Sequence, residues 1–180
     1  MDGKTQYVIL GLLSDQPLTG YEIKKLIDVR FRFFWSESYG QIYPTLKKML
    51  ASGYISVLKS DETNRSQQRY AITELGQKVL KDWVNESPDK ESIRLEILLK
   101  MYFASHGDKS SIIHHITEFK QTHSQDLMIL NLFQTELKSI PDPDQNHQDI
   151  LRVIDFGIKT NQAYLDWCKE TIQYLEEKHS

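Results

Sequence analysis

The stretch SESYGQIYPTLKKM, residues 36–49, constrains the fold of this chain more than any other part of it. Ile42, Leu46, Met49 and Leu50 recur at steps of three and four, the period of one buried helix face. Ser38 followed three residues on by Gln41 supplies the capping pair that opens such a helix. Gly40, Tyr43 and Pro44, crowded into its first two turns, are poor choices for a helix interior, and Pro44 has no amide to bond the carbonyl of Gly40. At roughly 100° per residue, the side opposite the apolar stripe carries Gly40, Gln41, Pro44, Lys47, Lys48 and Ala51, with Tyr43 on its flank. That side is small, flat and basic, and folding alone gives no reason for it.

The neighbouring segments set this helix in a recognisable order. Residues 7–13 are apolar and helix-competent until SDQPL breaks them. TGYEIKKLIDVR then opens a second helix with the Thr19/Glu22 capping box, burying Ile23, Leu26 and Ile27 and leaving Lys24, Lys25 and Asp28 to solvent. After the third helix, SGYI supplies a glycine stop. YISVLKS and QQRYAIT alternate as half-buried strands around the polar tip DETNRS, and a further helix runs from Glu74 through Val79, Leu80 and Trp83. Three helices, a two-stranded wing and a closing helix make a winged helix-turn-helix, whose third helix enters the major groove.

Pro88 in ESPDK marks the boundary between an N-terminal domain, 1–87, and a second domain, 88–180. The second domain reads as wholly helical, so the fold class is mainly α. IRLEILLKMYFA is followed by a stop at Gly107 and Asp108. A long run over 110–140 then places Ile112, Ile116, Phe119, His123, Leu130, Phe133, Leu137 and Ile140 near one stripe. PDPD ends that run. In the last segment Ile150, Ile154, Ile158, Asn161, Leu165, Cys168, Ile172 and Leu175 step by three and four, close to a coiled-coil seam. A helix of that extent is about 45 Å long and overhangs any core its own domain builds. With Tyr164 and Trp167 widening the apolar surface, a second subunit is the simplest cover.

Charge separates the two halves. Residues 1–84 carry 12 Lys and Arg against 9 Asp and Glu, and the rest carry 10 against 16, within a net charge of −3. A basic unit joined to an acidic one fits a DNA-contacting domain attached to one that does not touch DNA. The apolar run YVILGLL is too short to cross a bilayer and lacks the flanks of a signal peptide, so a cytoplasmic location is expected. Cys168, the single cysteine, has no intrachain partner and reads as a reduced core thiol. His114, His115 and Glu118 have a spacing that can hold a metal, but surface and core roles suit them better, and no metal or cofactor is expected. No nucleotide-binding glycine motif, HExxH or nucleophile elbow occurs, which argues against an enzyme.

Gln41 can pair with a base edge and Pro44 can touch a thymine methyl. Lys47 and Lys48 suit phosphate or guanine, Tyr39 and Tyr43 can donate to phosphate oxygens, and Gly40 admits a close backbone approach. With Ser38 at the helix start and Arg65 and Arg69 in the wing, these are the expected DNA-binding residues. The apolar seam, Ile150, Ile154, Ile158, Leu165, Cys168, Ile172 and Leu175, is the expected dimer contact. Phe34 and Trp35 from FRFFW, together with Tyr102, Phe103 and Trp167, are the rings a flat aromatic effector would need at the junction of the domains.

LTGYEIKKLI, SYGQIYPTLKKMLASGYI, YAITELGQKVL and FGIKTNQAYLDWCKETIQYLE together resemble the PadR family of bacterial transcriptional regulators, in the form with a helical C-terminal dimerisation domain. The resemblance implies a homodimer on a palindromic operator, repressing a neighbouring gene and released by a small molecule, phenolic acids and drugs among them. One departure lies in the wing, where relatives often carry a Lys or Arg pair before the aromatic residue of the second strand. This chain has Gln67 and Gln68 there, flanked by Arg65 and Arg69. The competing reading is a winged-helix module that binds protein and no DNA.

Overall fold

In a computed structural model, which describes residues 3–58, 68–90, 93–142 and 146–177, α3 (Tyr39–Ala51) forms where the spacing places it. Ile42, Leu46 and Met49 are buried to 1 % exposure or less, each contributing about 1.5–3 kcal/mol relative to an exposed side chain. Their core partners come from α1 (Thr5–Asp15) and α2 (Gly20–Arg30). α1 has Ile9, Leu10, Leu12 and Leu13 buried, and its Tyr7 stacks on Trp83 of α4 (Glu74–Val84) with ring centroids 4.5 Å apart. The chain divides into units Met1–Lys90 and Glu91–Ser180, against the division at 87/88 expected from ESPDK.

Two turns show why the sequence bends where it does. At the end of α3, Gly53 adopts φ +71°; its amide bonds the carbonyl of Leu50 at 3.1 Å and the amide of Tyr54 that of Met49 at 3.0 Å, a Schellman closure. Thr73 accepts from the amide of Gly76 to cap α4, and its hydroxyl lies 2.7 Å from the carbonyl oxygen of Gly53. A Cβ on Gly76 would sit 2.1 Å from the carbonyl oxygen of Tyr54. Any larger residue there would push α4 off the turn.

The sheet differs from expectation. β2 (Ile55–Leu58) and β3 (Arg69–Ile72) pair antiparallel, Ile55 opposite Ile72 and Leu58 opposite Arg69. β1 (Leu18–Thr19) adds a third strand on the other edge, giving the order β1-β3-β2. The SDQPL segment therefore ends α1 and also feeds the sheet. Two residues are too few to show alternation, and only their pairing with Tyr70 and Arg69 makes them a strand.

The second unit contains α5 (Glu96–Tyr102), a 3-10 turn (Ala104–His106), α6 (Lys109–Ser139) and α7 (His147–Glu177). The two 31-residue helices pack as an antiparallel hairpin. Lys109 at the start of α6 bonds the carbonyl of Glu176 near the end of α7. His123 Nδ1 lies 2.7 Å from Asn161 Oδ1, midway along, and Leu130 lies against Gly157.

The α7 stripe expected at a dimer contact packs on α6 within the single chain. α6 is as long as α7 and covers the stripe from within the chain. Ile154, Asn161, Cys168 and Leu175 are buried in the single chain, and Ile158, Leu165 and Ile172 are half-buried. Of the residues expected at a dimer contact, only Ile150 is exposed. Burial pushes the Cys168 thiol up, with Lys120 a smaller opposing influence, as befits a core thiol.

Among the described residues no atom beyond its chain neighbours lies within 4 Å of a Cβ built on Gly53, so a substitution there acts through the backbone. Gly53→Ala is expected to lower the stability of the chain by about 1–2 kcal/mol, the cost of a left-handed non-glycine residue. Urea unfolding of the two forms checks this, and equal midpoints would exclude it.

Candidate nucleic-acid interface

Once Ile42, Leu46 and Met49 are buried, helix geometry turns a fixed set of side chains outward. Ser38, Tyr39, Gly40, Gln41, Tyr43, Pro44, Lys47 and Lys48 are all exposed. The structure thus brings together, on the first three turns of one helix, every expected contact of α3. Arg65 lies outside the described residues, as do Gln67 and the wing tip.

The start of the helix is already hydrogen-bonded within itself. Gln41 Oε1 accepts from the Ser38 amide at 2.9 Å and from the Ser38 hydroxyl at 2.8 Å. The capping role takes up its acceptor, so a two-point contact with adenine would have to displace it, whereas its Nε2 donor meets no such conflict. Thr45 Oγ1 donates to the carbonyl of Gln41 at 2.7 Å, one position after the Gly40 carbonyl that Pro44 leaves without an amide donor. Among the described residues a Cβ on Gly40 would meet only Ser38 Oγ, at an ordinary 3.6 Å. Internal packing therefore does not demand glycine there.

Tyr39 and Tyr43 stack along the exposed side, with centroids 6.1 Å apart. Tyr43 is seated: a Cβ on Gly20 would fall 2.8 Å from its Cε1, so the first residue of α2 must be small for the ring to lie there. The hydroxyl of Tyr70 in β3 is pushed up by burial first and by Tyr43 second. Lys24 corrects the expectation of a solvent-facing lysine. Its side chain is 16 % exposed and pairs with Asp28, and its ammonium lies 5.7 Å from the centroid of the Tyr39 ring, an arrangement that shelters the aliphatic stem.

Arg69 is placed differently from a free phosphate contact. Its guanidinium donates to the carbonyl of Pro17 at 2.8 Å and to Glu22 Oε1 at 3.0 Å. Glu22 in turn accepts from the Thr19 amide at 2.7 Å. That hydrogen bond, aided by the Thr19 hydroxyl and by Arg69, holds the Glu22 carboxyl below its ordinary range. Arg69 therefore ties β3 to the capped start of α2.

The rings singled out for an effector are dispersed within their own units. Phe34 is exposed, and Trp35 donates its indole N–H to Glu37 at 2.8 Å. Tyr102 and Phe103 meet edge to face at 5.0 Å and are both exposed. Trp167 packs on Phe119 in the α6–α7 core. His114 and His115 both face Glu118 on the surface of α6, and among the described residues no group of three His, Cys, Asp or Glu is placed to hold a metal. Nor, among them, is any helix long and apolar enough to cross a membrane. Sequence reading missed Glu37, a buried acid whose one visible signal was its place inside an aromatic run just before a helix cap.

Known proteins resemble this chain in sequence and in fold. Residues 9–82 match the model of the transcriptional regulator PadR-like family, and residues 93–176 match that of the virulence activator alpha C-terminal domain. The negative transcriptional regulator PadR of Bacillus subtilis is 27% identical over 96% of this chain and 97% of its own. A PadR-like regulator of Bacillus cereus superposes with a TM-score of 0.80 at 26% identity, covering 97% of this chain and 99% of that one. PadR of B. subtilis solved with operator DNA gives 0.77 at 27% identity, covering 94% and 98%; solved with p-coumaric acid it gives 0.72 at 25%, covering 96% of each. These relatives are transcriptional regulators and not enzymes, and this chain, with its winged-helix unit followed by a long helical hairpin, belongs to the same PadR-like family.

Proposed function

We propose that this regulator binds double-stranded DNA as a homodimer on a palindromic operator, represses transcription there, and is released by a small aromatic effector. The observation that carries the DNA reading is the outward side of α3. There Gly40, not required by packing, lies beside the stacked Tyr39 and Tyr43, with Lys47 and Lys48 one turn further on. Phosphate contacts by the lysines and tyrosine hydroxyls position the helix, and Gln41 Nε2 and Pro44 reach base edges. Arg69 contributes by fixing the wing more than by touching phosphate. B. subtilis PadR, solved on operator DNA and with p-coumaric acid, supports both halves of the reading.

Two copies must hold their α3 helices about one DNA turn apart, roughly 34 Å, and the hairpin offers the surface for pairing. With the α7 stripe covered by α6, the apolar side chains still exposed include Met128 and Leu132 on α6 and Ile150, Val153 and Phe156 on α7. The antiparallel register puts them at the same end of the hairpin. An apolar set of this kind is what a second copy would cover. Among the rings considered for the effector, Phe34, Tyr102 and Phe103 are the exposed ones, while Trp35 and Trp167 are engaged inside their units.

Three outcomes test these statements. Binding to the DNA upstream of the chain's own gene should weaken steeply as salt rises, and Lys48→Ala should lower the slope of log affinity against log salt by about one per copy; a flat response favours the protein-binding module instead. Phe156→Glu should convert a dimer to monomer in analytical ultracentrifugation while the helical circular dichroism persists, and a wild-type chain that sediments as a monomer at micromolar concentration refutes the dimer. Added p-coumaric acid should change tryptophan emission and release the DNA; if it does neither, a phenolic effector of that kind is ruled out.

A further inference from the structure

Glu37 stands one residue before the cap of α3 and is 5 % exposed. Its Oε1 accepts from the Thr5 hydroxyl, at the first residue of α1, at 2.9 Å and from the Trp35 indole N–H at 2.8 Å. Thr5 is itself buried. Glu37 Oε2 is buried too and meets no hydrogen-bond donor among the described residues. A carboxylate oxygen taken out of water without a donor costs stability, and an apolar residue of similar size avoids that cost. Stability therefore does not explain the residue.

Geometry does. The apolar face of α3 sets which side of the helix turns outward, but contacts among Ile, Leu and Met side chains are non-directional and resist a small slide along the axis only weakly. A hydrogen bond fails steeply with distance and angle. One oxygen that receives donors from α1 and from Trp35 defines a point, and that point is one residue from Ser38, where the reading end of α3 begins. We propose that Glu37 is a positioning residue that sets the axial placement of the recognition helix against α1. The proposal rests on the DNA-binding reading above.

The full-length wild-type chain is used to select duplexes from a random-sequence pool, and the selected duplex is the probe. Glu37→Met should bind it about tenfold more weakly, with an unfolding midpoint equal to or above wild type and a displaced Trp35 indole N–H resonance. Glu37→Gln keeps an acceptor oxygen and should bind within about threefold of wild type. A residue that mattered only for stability would lower the midpoint and leave affinity unchanged well below it. If Glu37→Met does not fold, Thr5→Val decides: it removes one donor, and weakened binding by a folded variant supports the latch while wild-type affinity overturns it. Loss of binding in Glu37→Gln equal to that in Glu37→Met also overturns it, since charge and not acceptor geometry would then be responsible. A wild-type chain that selects no duplex takes down the DNA reading itself, whereas a wild-type chain that binds alongside an equally tight Glu37→Met removes only this proposal.

Discussion

Burial of Ile42, Leu46 and Met49 is the constraint on which the rest of the N-terminal unit depends. A helix is rigid at the level of which residues share a face, so covering three positions decides the direction of all the others. Tyr39, Gly40, Tyr43, Pro44, Lys47 and Lys48 are exposed because those three are not. The residues least suited to a helix interior gather where the fold makes no demand on them. This separation of a packing face from a chemical face lets one helix both hold the domain together and present a surface to a partner.

Around that helix, several polar groups that look free in the sequence are already bonded. Gln41 caps its own helix through Ser38, Arg69 bridges Pro17 and Glu22, Lys24 pairs with Asp28 beside Tyr39, and Trp35 is tied to Glu37. Each bond makes the group a better scaffold and a poorer free contact, because its donors or acceptors must be released before they serve a ligand. Other side chains on the exposed face have no such ties among the described residues. Lys47, Lys48 and the tyrosine hydroxyls are the clearest of these.

The helical unit teaches a different lesson. The stripe on α7 was legible to the residue, yet periodicity says only that something covers it. α6 provides that cover from Ile154 to Leu175, and a polar pair within the seam, His123 with Asn161, gives the pairing a register that apolar contacts alone would leave loose. What remains outside is a different set of apolar side chains, Met128 and Phe156 among them.

Local rules sufficed for the helix of 39–51, the Thr19/Glu22 box, the glycine that ends α3 and the break at PDPD, because each depends on residues within a few positions of one another. The winged order followed from those pieces, and so did the outward side of α3. Tertiary structure alone decided that Leu18 and Thr19 form a strand, that Arg69 bonds Pro17 and Glu22, that Glu37 is buried with one oxygen lacking a donor among the described residues, and that α6 lies on the α7 stripe. Those outcomes turn on contacts between residues far apart in sequence, 52 positions for Arg69 and Pro17 and 67 for Lys109 and Glu176. A pattern of polar and apolar letters records that a side chain needs a partner, and only the folded chain brings the partner to it.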